Sequence, residues 1–282
     1  MTAFGLVLGG GGPIGAAWYA GLASGLADEG LDLGLASVVI GTSAGAWAGA
    51  WVSAERSGEF VDAMLRLGAG SEPLAIDIDL ISQVSSVMGR AEAPLGPPHT
   101  QQIGELAMQL PPMVVRFYAK YLPGTEWPEL FRVLVVNVHT GELRVLGRAD
   151  EVPVEVGVAA SCAAAGLAPP VALPDGLYMD GGARSATNAD VLIGHRVSKA
   201  IIASPVPPEV PLIGPAIGRV LAEECRRLSS ADIRFETVLP TDIEKAAFGH
   251  DLLNYSKIGS AIEAGKTRAA LEAGRLLGFI QN

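Results

Sequence analysis

The chain has 282 residues, a net charge of −10 and an apolar fraction of 49%. That length suits one large α/β unit, and residues 1–282 read as a single domain. The acidic balance gives no global attraction to nucleic acid or to an anionic membrane surface.

Phe4 to Leu8 reads as a short buried strand within 4–9 and runs straight into Gly9-Gly10-Gly11-Gly12-Pro13-Ile14-Gly15. A helix over 15–29 follows. Strand, glycine loop and helix in that order gather free backbone N–H groups at one point, a nest that binds phosphate or holds an oxyanion. Gly10-x-Gly12-x-x-Gly15 also fits a dinucleotide fingerprint, which needs an acid at the end of the second strand. The second strand, 36–40, ends Val38-Val39-Ile40-Gly41 without one. It leads instead into Gly41-Thr42-Ser43-Ala44-Gly45, ahead of a predicted helix over 44–54. This G-x-S-x-G pentapeptide reads as a serine on a sharp strand-to-helix turn, with Gly41 and Gly45 allowing the tight fold. The hydroxyl of Ser43 then meets the positive end of the helix, where a developing anion is favoured. A serine that only caps the helix is the plainer alternative.

A helix is predicted over 58–68. From Gly68 to Pro128 the alternation of elements stops, in a helical or irregular insertion with no evident strand. Within it, Pro111-Pro112 opens a helix-like stretch, Met113 to Leu122, which Pro123-Gly124 ends. It reads either as a lid or acyl-binding wall, with Arg116 and Lys120 at helical spacing toward lipid, or as a helix packed on the core. Strands follow at 131–138 and 142–146, and a helix at 152–164. Val171 to Pro174, an Asp175-Gly176 turn and Leu177 to Met179 form a hairpin that puts Asp180 at a strand end, before Gly181 and Gly182. The remaining elements are a helix at 188–194, a strand at 198–204, a helix at 215–229, a strand at 233–239 and a helix at 256–277. The pattern predicts a three-layer α/β/α fold around a mostly parallel central sheet, with an antiparallel edge hairpin.

Thr187 or Asn188 is expected to cap the helix near Ala189, which leaves Asn188 and Asp190 without a catalytic part. Arg184 either pairs with an acid and steadies the Asp180 loop or lies solvated. Cys162 and Cys225 are too few for a disulfide framework and read as reduced, buried thiols. No residue cluster has metal-ligand spacing. The first basic residue is Arg56, so the amino terminus lacks the basic region of a secretory signal, and a cytoplasmic location is expected. Val156 to Leu173 is weakly charged, but Pro169-Pro170 breaks it, and it reads as a buried helix, a turn and a strand.

Taken together, the glycine loop, G-T-S-A-G at 41–45 and D-G-G at 180–182 resemble the patatin-like phospholipases, a family of serine lipid acyl hydrolases. The resemblance runs on through Ala160-Ser161-Cys162-Ala163-Ala164-Ala165-Gly166-Leu167-Ala168-Pro169-Pro170 and through Asp180 to Asp190. It implies a dyad, with Ser43 as nucleophile and Asp180 as general base. Gly10, Gly11 and Gly12 would form the oxyanion hole, and Gly15, Gly41, Gly45, Gly181 and Gly182 would support the loops. It further implies a lipid or other acyl-ester substrate and no cofactor, and it allows peripheral contact with a membrane. Two positions depart from the family pattern. Ile14 stands where Arg or Lys is usual, and Ala165 where proline is usual. The first bears on how the glycine loop or a substrate phosphate is anchored, and leaves the backbone donors intact.

A serine–aspartate pair is chemically sound for esters. A free carboxylate titrates near 3.9 and is a poor base for an alcohol, but an apolar site raises that value. Each preorganised N–H donor is worth roughly 10²–10³ in rate, and an alcohol leaving group needs less help than an amine. The competing enzyme reading is an α/β-hydrolase triad in the order Ser, Asp, His, with His195 or His250 as base. His99 and His139 precede Asp180 and fit that order less well. The triad fold reaches its nucleophile after several strands, whereas Ser43 ends only the second. A third reading keeps the scaffold as an inactive module that binds an acyl group or a partner. Oligomeric state, acyl length and head group are not encoded in any motif.

Overall fold

In the computed structural model, which describes residues 3–70, 76–110, 121–211 and 213–282, the short apolar runs pair into one eight-stranded sheet. The strands are β1 (Phe4–Leu8), β2 (Val38–Gly41), β3 (Phe131–Asn137), β4 (Leu143–Leu146), β5 (Val171–Leu173), β6 (Gly176–Asp180), β7 (Lys199–Ala203) and β8 (Arg234–Val238). Five of them, in the order β3-β2-β1-β7-β8, are parallel. β4 and the hairpin β5–β6 add to β3 antiparallel.

The helices are α1 (Gly12–Asp28), α2 (Ala44–Ser53), α3 (Ser57–Gly70), α4 (Ile78–Met88), α5 (His99–Ala107), α6 (Val154–Ser161), α7 (Gly214–Ser230), α8 (Asp242–Phe248) and α9 (Ile258–Gln281). Alternation along the strands sorts them into two layers. Phe4, Leu6 and Leu8 of β1, with Phe131, Val133 and Val135 of β3, pack against α1, α2, α3, α6 and α9. Val7 and Ile202 face the other way, toward α7, and Val136 joins α4 and α5 on that second side. The result is the three-layer α/β/α arrangement that the alternating pattern predicts. At the centre of the first layer α1 and α9 cross backbone to backbone. A Cβ at Gly21 would lie 1.9 Å from the Ile262 carbonyl oxygen, and one at Gly265 would lie 2.2 Å from that of Trp18.

One feature of the register brings the site together. Val133 pairs with both Gly41 and Leu146, and Val136 pairs with both Met179 and Leu143. A strand has only two edges and β4 occupies one, so β2 and β6 share the other. They run toward each other along it. β2 ends at Gly41 opposite Val133, and β6 ends at Asp180 opposite Val135. Leu134 alone separates the two strand ends, a spacing of roughly 7 Å along β3.

Several boundaries differ from the sequence pattern. α1 starts at Gly12, because Pro13 in the first turn is compatible with a helix. Among its described residues, the 68–128 insertion contains α4 and α5 and no strand. Most of the helix-like stretch from Met113 to Leu122 lies outside the described residues. At its end, Tyr121 and Leu122 are buried, and the Tyr121 carbonyl accepts the indole N–H groups of Trp47 and Trp51, each at 3.0 Å. Helix α8, which the sequence reading leaves as a loop, is closed at its start by a capping box of Thr241 and Glu244.

Candidate active site

Ser43 occupies the turn between β2 and α2 with φ 56° and ψ −121°. Non-glycine residues seldom adopt a positive φ, which costs of order 1–3 kcal/mol and persists only where surroundings enforce it. Here the surroundings are tight. A Cβ on Gly45 would sit 1.8 Å from the Leu8 carbonyl oxygen, so only glycine lets α2 approach the end of β1 this closely. Thr42 donates its N–H to the same carbonyl at 3.0 Å. Ser43 stands at the N-cap position, yet its side chain makes no capping hydrogen bond. The plainer reading of a capping serine is therefore not met. Within 40–52 Ser43 alone is partly open to solvent, and its neighbours are buried.

Asp180 ends β6 and is 5% exposed. Its Oδ1 accepts the Gly182 N–H at 2.7 Å. Burial pushes its carboxyl up to about 7, with the Gly182 N–H and a side-chain hydrogen bond from Ser43 pulling the other way. The carboxyl is thus half ionised near neutral pH, where it gains basicity without staying permanently protonated.

The glycine loop packs against Ser43. A Cβ at Gly10 would lie 3.3 Å from Ser43 Cβ and 3.9 Å from Ser43 Oγ. The expectation that Gly10, Gly11 and Gly12 all supply oxyanion donors needs correcting at the first of them. Gly10 donates its N–H to the Ala186 carbonyl at 2.8 Å, so that amide is already committed. The N–H groups of Gly11 and Gly12 have no partner among the described residues, and neither does that of Ala44 at the head of α2. The Ala44 amide is a candidate donor that the sequence reading does not name, although a residue directly after a turn nucleophile is a recurrent oxyanion donor. Gly15 lies under Pro205, Gly41 against Gly45 and Ala46, and Gly181 against the Leu134 carbonyl, each too close for a side chain. Gly182 brings its amide to Asp180. Ile14, at the position where a basic residue is usual, is fully buried and apolar-packed, and its N–H is held by the Leu252 carbonyl at 3.2 Å.

A loop from Ser185 to Ala189 ties the two halves of the site. Asn188 does not cap the 3₁₀ turn Ala189–Gly194, contrary to expectation. It sits at φ 51° and donates its amide to Thr42 Oγ1 at 3.2 Å, to the Gly181 carbonyl at 3.2 Å and to the Ser185 carbonyl at 2.6 Å. Arg184 pairs with Asp190 at 2.6 Å and donates to Asn188 Oδ1 at 2.7 Å, so it does steady the loop. From α7, the buried Glu224 accepts the Thr187 hydroxyl and the Ala189 N–H. Burial raises its carboxyl to about 7 as well.

The histidines stand apart. His195 precedes β7, where burial and the Arg132 guanidinium lower its pKa. His99, His139 and His250 are exposed. None hydrogen-bonds to Ser43 or Asp180 among the described residues. Cys162 and Cys225 are free thiols and only partly buried, with burial raising both pKa values. No group of three His, Cys, Asp or Glu side chains among the described residues is arranged to hold a metal. No helix among them is long and apolar enough to cross a membrane.

The fold and site define a class: an α/β/α protein that presents a serine on a strand-to-helix turn beside a glycine loop and a buried carboxyl. The family model for patatin-like phospholipases matches residues 6–193, and the chain belongs to that family. Family members are lipid acyl hydrolases, which makes lipid acyl-ester hydrolysis the activity the family suggests. A comparison with solved structures finds similarity to the crystal structure of the type III effector protein ExoU, at 15% identity and a TM-score of 0.39. That alignment covers 95% of this chain and 53% of the other, so this chain spans about half the length of that protein. A comparison with curated proteins returns no match.

Proposed function

We propose that this protein is a serine hydrolase of lipid acyl esters that works through a Ser43–Asp180 dyad. The observation that carries the proposal is the convergence of β2 and β6 on one edge of β3, which points a turn serine and a buried carboxyl at each other. Asp180 takes the hydroxyl proton as Ser43 Oγ attacks the acyl carbonyl. The oxyanion is held by the N–H groups of Gly11, Gly12 and Ala44, at the amino-terminal ends of α1 and α2, where the helix dipoles add to the hydrogen bonds. Asp180 passes that proton to the departing alkoxide and the alcohol leaves; water then enters, Asp180 takes its proton as it attacks the acyl-enzyme, and the proton returns to Ser43 Oγ as the acid is released. Residues 1–282 act as one unit without cofactor or metal, and contact with the lipid is peripheral. A Ser–His–Asp triad is disfavoured, because the buried carboxyl meets the serine directly and no histidine stands between them.

The test is Ser43→Ala. It should abolish both hydrolysis of nitrophenyl esters and labelling by a fluorophosphonate, with a loss of at least about 10³-fold, while thermal unfolding stays near wild type. Retained turnover in that variant ends the proposal. Esters of graded chain length beside phospholipid vesicles would then define the substrate.

A further inference from the structure

The carboxyl-terminal turn of α6 touches both members of the dyad, although the chemistry assigns it no part. Its origin lies in the gap on β3. Leu134 sits between the end of β2 and the end of β6, where neither strand has a residue in register with it. Ser161 fills the gap. Its hydroxyl donates to the Leu134 carbonyl at 2.8 Å, and the same oxygen accepts the Ser43 N–H at 2.9 Å. The next residue, Cys162, points its thiol at the Ser43 carbonyl, 3.4 Å away. The residue after that, Ala163, accepts the Asp180 N–H on its carbonyl at 3.0 Å.

We infer that Ser161-Cys162-Ala163 is a clamp that sets the separation and aim of nucleophile and base, with Ser161 as its principal positioning residue. The inference rests on the dyad reading above. Both peptide groups of Ser43 are held from the same turn, which is what a residue at φ 56° requires to stay there. Ser161 is fully buried, so water cannot replace its hydroxyl. The position calls for one group that donates to a carbonyl and accepts from an amide at once, which a hydroxyl does and a methyl does not. Asp180 hangs from the same turn, so a shift of the α6 terminus moves base and nucleophile relative to each other. Misplacement of a reacting group by about 1 Å can cost about 10²-fold in rate.

Ser161→Ala and Ser161→Thr are compared with wild type for fluorophosphonate labelling rate, and for kcat and KM on a short nitrophenyl ester. Val158→Ala, a buried change on the same helix outside the clamp, serves as the stability control. Ser161→Ala should lower the labelling rate and kcat by about 10–100-fold with KM within about twofold, and Ser161→Thr should recover most of the loss. Val158→Ala should keep the wild-type kcat. A labelling rate in Ser161→Ala equal to wild type, or reduced no more than in Val158→Ala, overturns the clamp. Should Ser161→Ala fail to fold, Cys162→Ala decides: a fall of about threefold or more in labelling supports the inference, and an unchanged rate refutes it. A wild-type protein that resists labelling defeats the dyad reading itself, a result distinct from all of these.

Discussion

Replacing Asp180 by asparagine should stabilise the protein while removing its activity. The carboxyl is 5% exposed, and burial moves its pKa from an ordinary 3.8 to about 7. Because the folded-state value is the higher one, the protonated acid carries no penalty. Stability is fullest below the unfolded-state value and is lost as pH rises through the folded-state value. Each tenfold change in proton affinity is worth about 1.36 kcal/mol, so the ionised carboxylate costs the native state about 4 kcal/mol near pH 8. Asparagine has nearly the same shape, keeps an oxygen for the Gly182 N–H and carries no charge to desolvate. Its advantage over wild type should therefore be about 4 kcal/mol near pH 8 and shrink below about 2 kcal/mol near pH 5. Urea unfolding of both proteins at the two pH values measures the difference. Taking the difference also cancels Glu224, whose buried carboxyl shifts in the same direction in both proteins. An Asp180→Asn protein no more stable than wild type near pH 8, or one whose advantage is the same at both pH values, would show that the carboxyl ionises without penalty. The argument for a poised base would then be gone.

Three further outcomes follow from the same structure. The kcat/KM of the wild type should rise with pH through about 7, since only ionised Asp180 accepts the Ser43 proton; a flat profile between about pH 5 and 8 contradicts this. Asn188→Gly tolerates the left-handed backbone and removes only the amide, leaving Thr42 Oγ1 and two carbonyls without its donor. It should cost about 1–3 kcal/mol in urea unfolding and lower kcat more than it raises KM. Arg268→Met strips the fully buried Glu244 of a partner that bonds it at 2.7 and 2.9 Å, and should destabilise by about 3–5 kcal/mol. Changing Glu244 to Leu in the same protein should restore part of that loss, and a double variant worse than the single would argue against a charge-desolvation cause.

The backbone of the site was legible because it is local. An apolar run ending at Gly41, a glycine-flanked Ser43 and a helix-forming stretch after it are consecutive, and so are the Asp175-Gly176 turn and the strand it returns into Asp180. The layered fold follows from alternation of the same kind. What sequence could not supply were partners far along the chain. Nothing near Gly10 says that its amide is taken by Ala186. Nothing near Asn188 distinguishes a helix cap from a donor that reaches Thr42. Helix α8 was a different miss: Thr241-x-x-Glu244 is a local capping signal that was present and passed over. In the 68–128 insertion, α4 begins where Asp77 accepts the Leu80 N–H at 2.9 Å, a cap readable only after the neighbouring segment is known to be helical.

Four unfavourable features of this molecule are gathered in one place. Ser43 at φ 56°, Asn188 at φ 51°, the buried Asp180 and the buried Glu224, whose Oε1 has no hydrogen-bond partner among the described residues, lie at the junction of β2, β3 and β6 or against the loop that ties it. Each costs stability, and each is held by contacts from rigid elements: the terminus of α6, the glycine loop, α7 and the Arg184–Asp190 pair. A site tuned only for stability would turn the carboxyls into amides and relax the serine. In the proposed mechanism, keeping them strained and dry makes the carboxylate more basic while leaving it half ionised near neutral pH, and keeps the alcohol aimed. The stability they forfeit is offset elsewhere, in contacts that serve no chemistry, such as the backbone-close crossing of α1 and α9. This division explains why a change that ends activity, Asp180→Asn, is also expected to strengthen the fold.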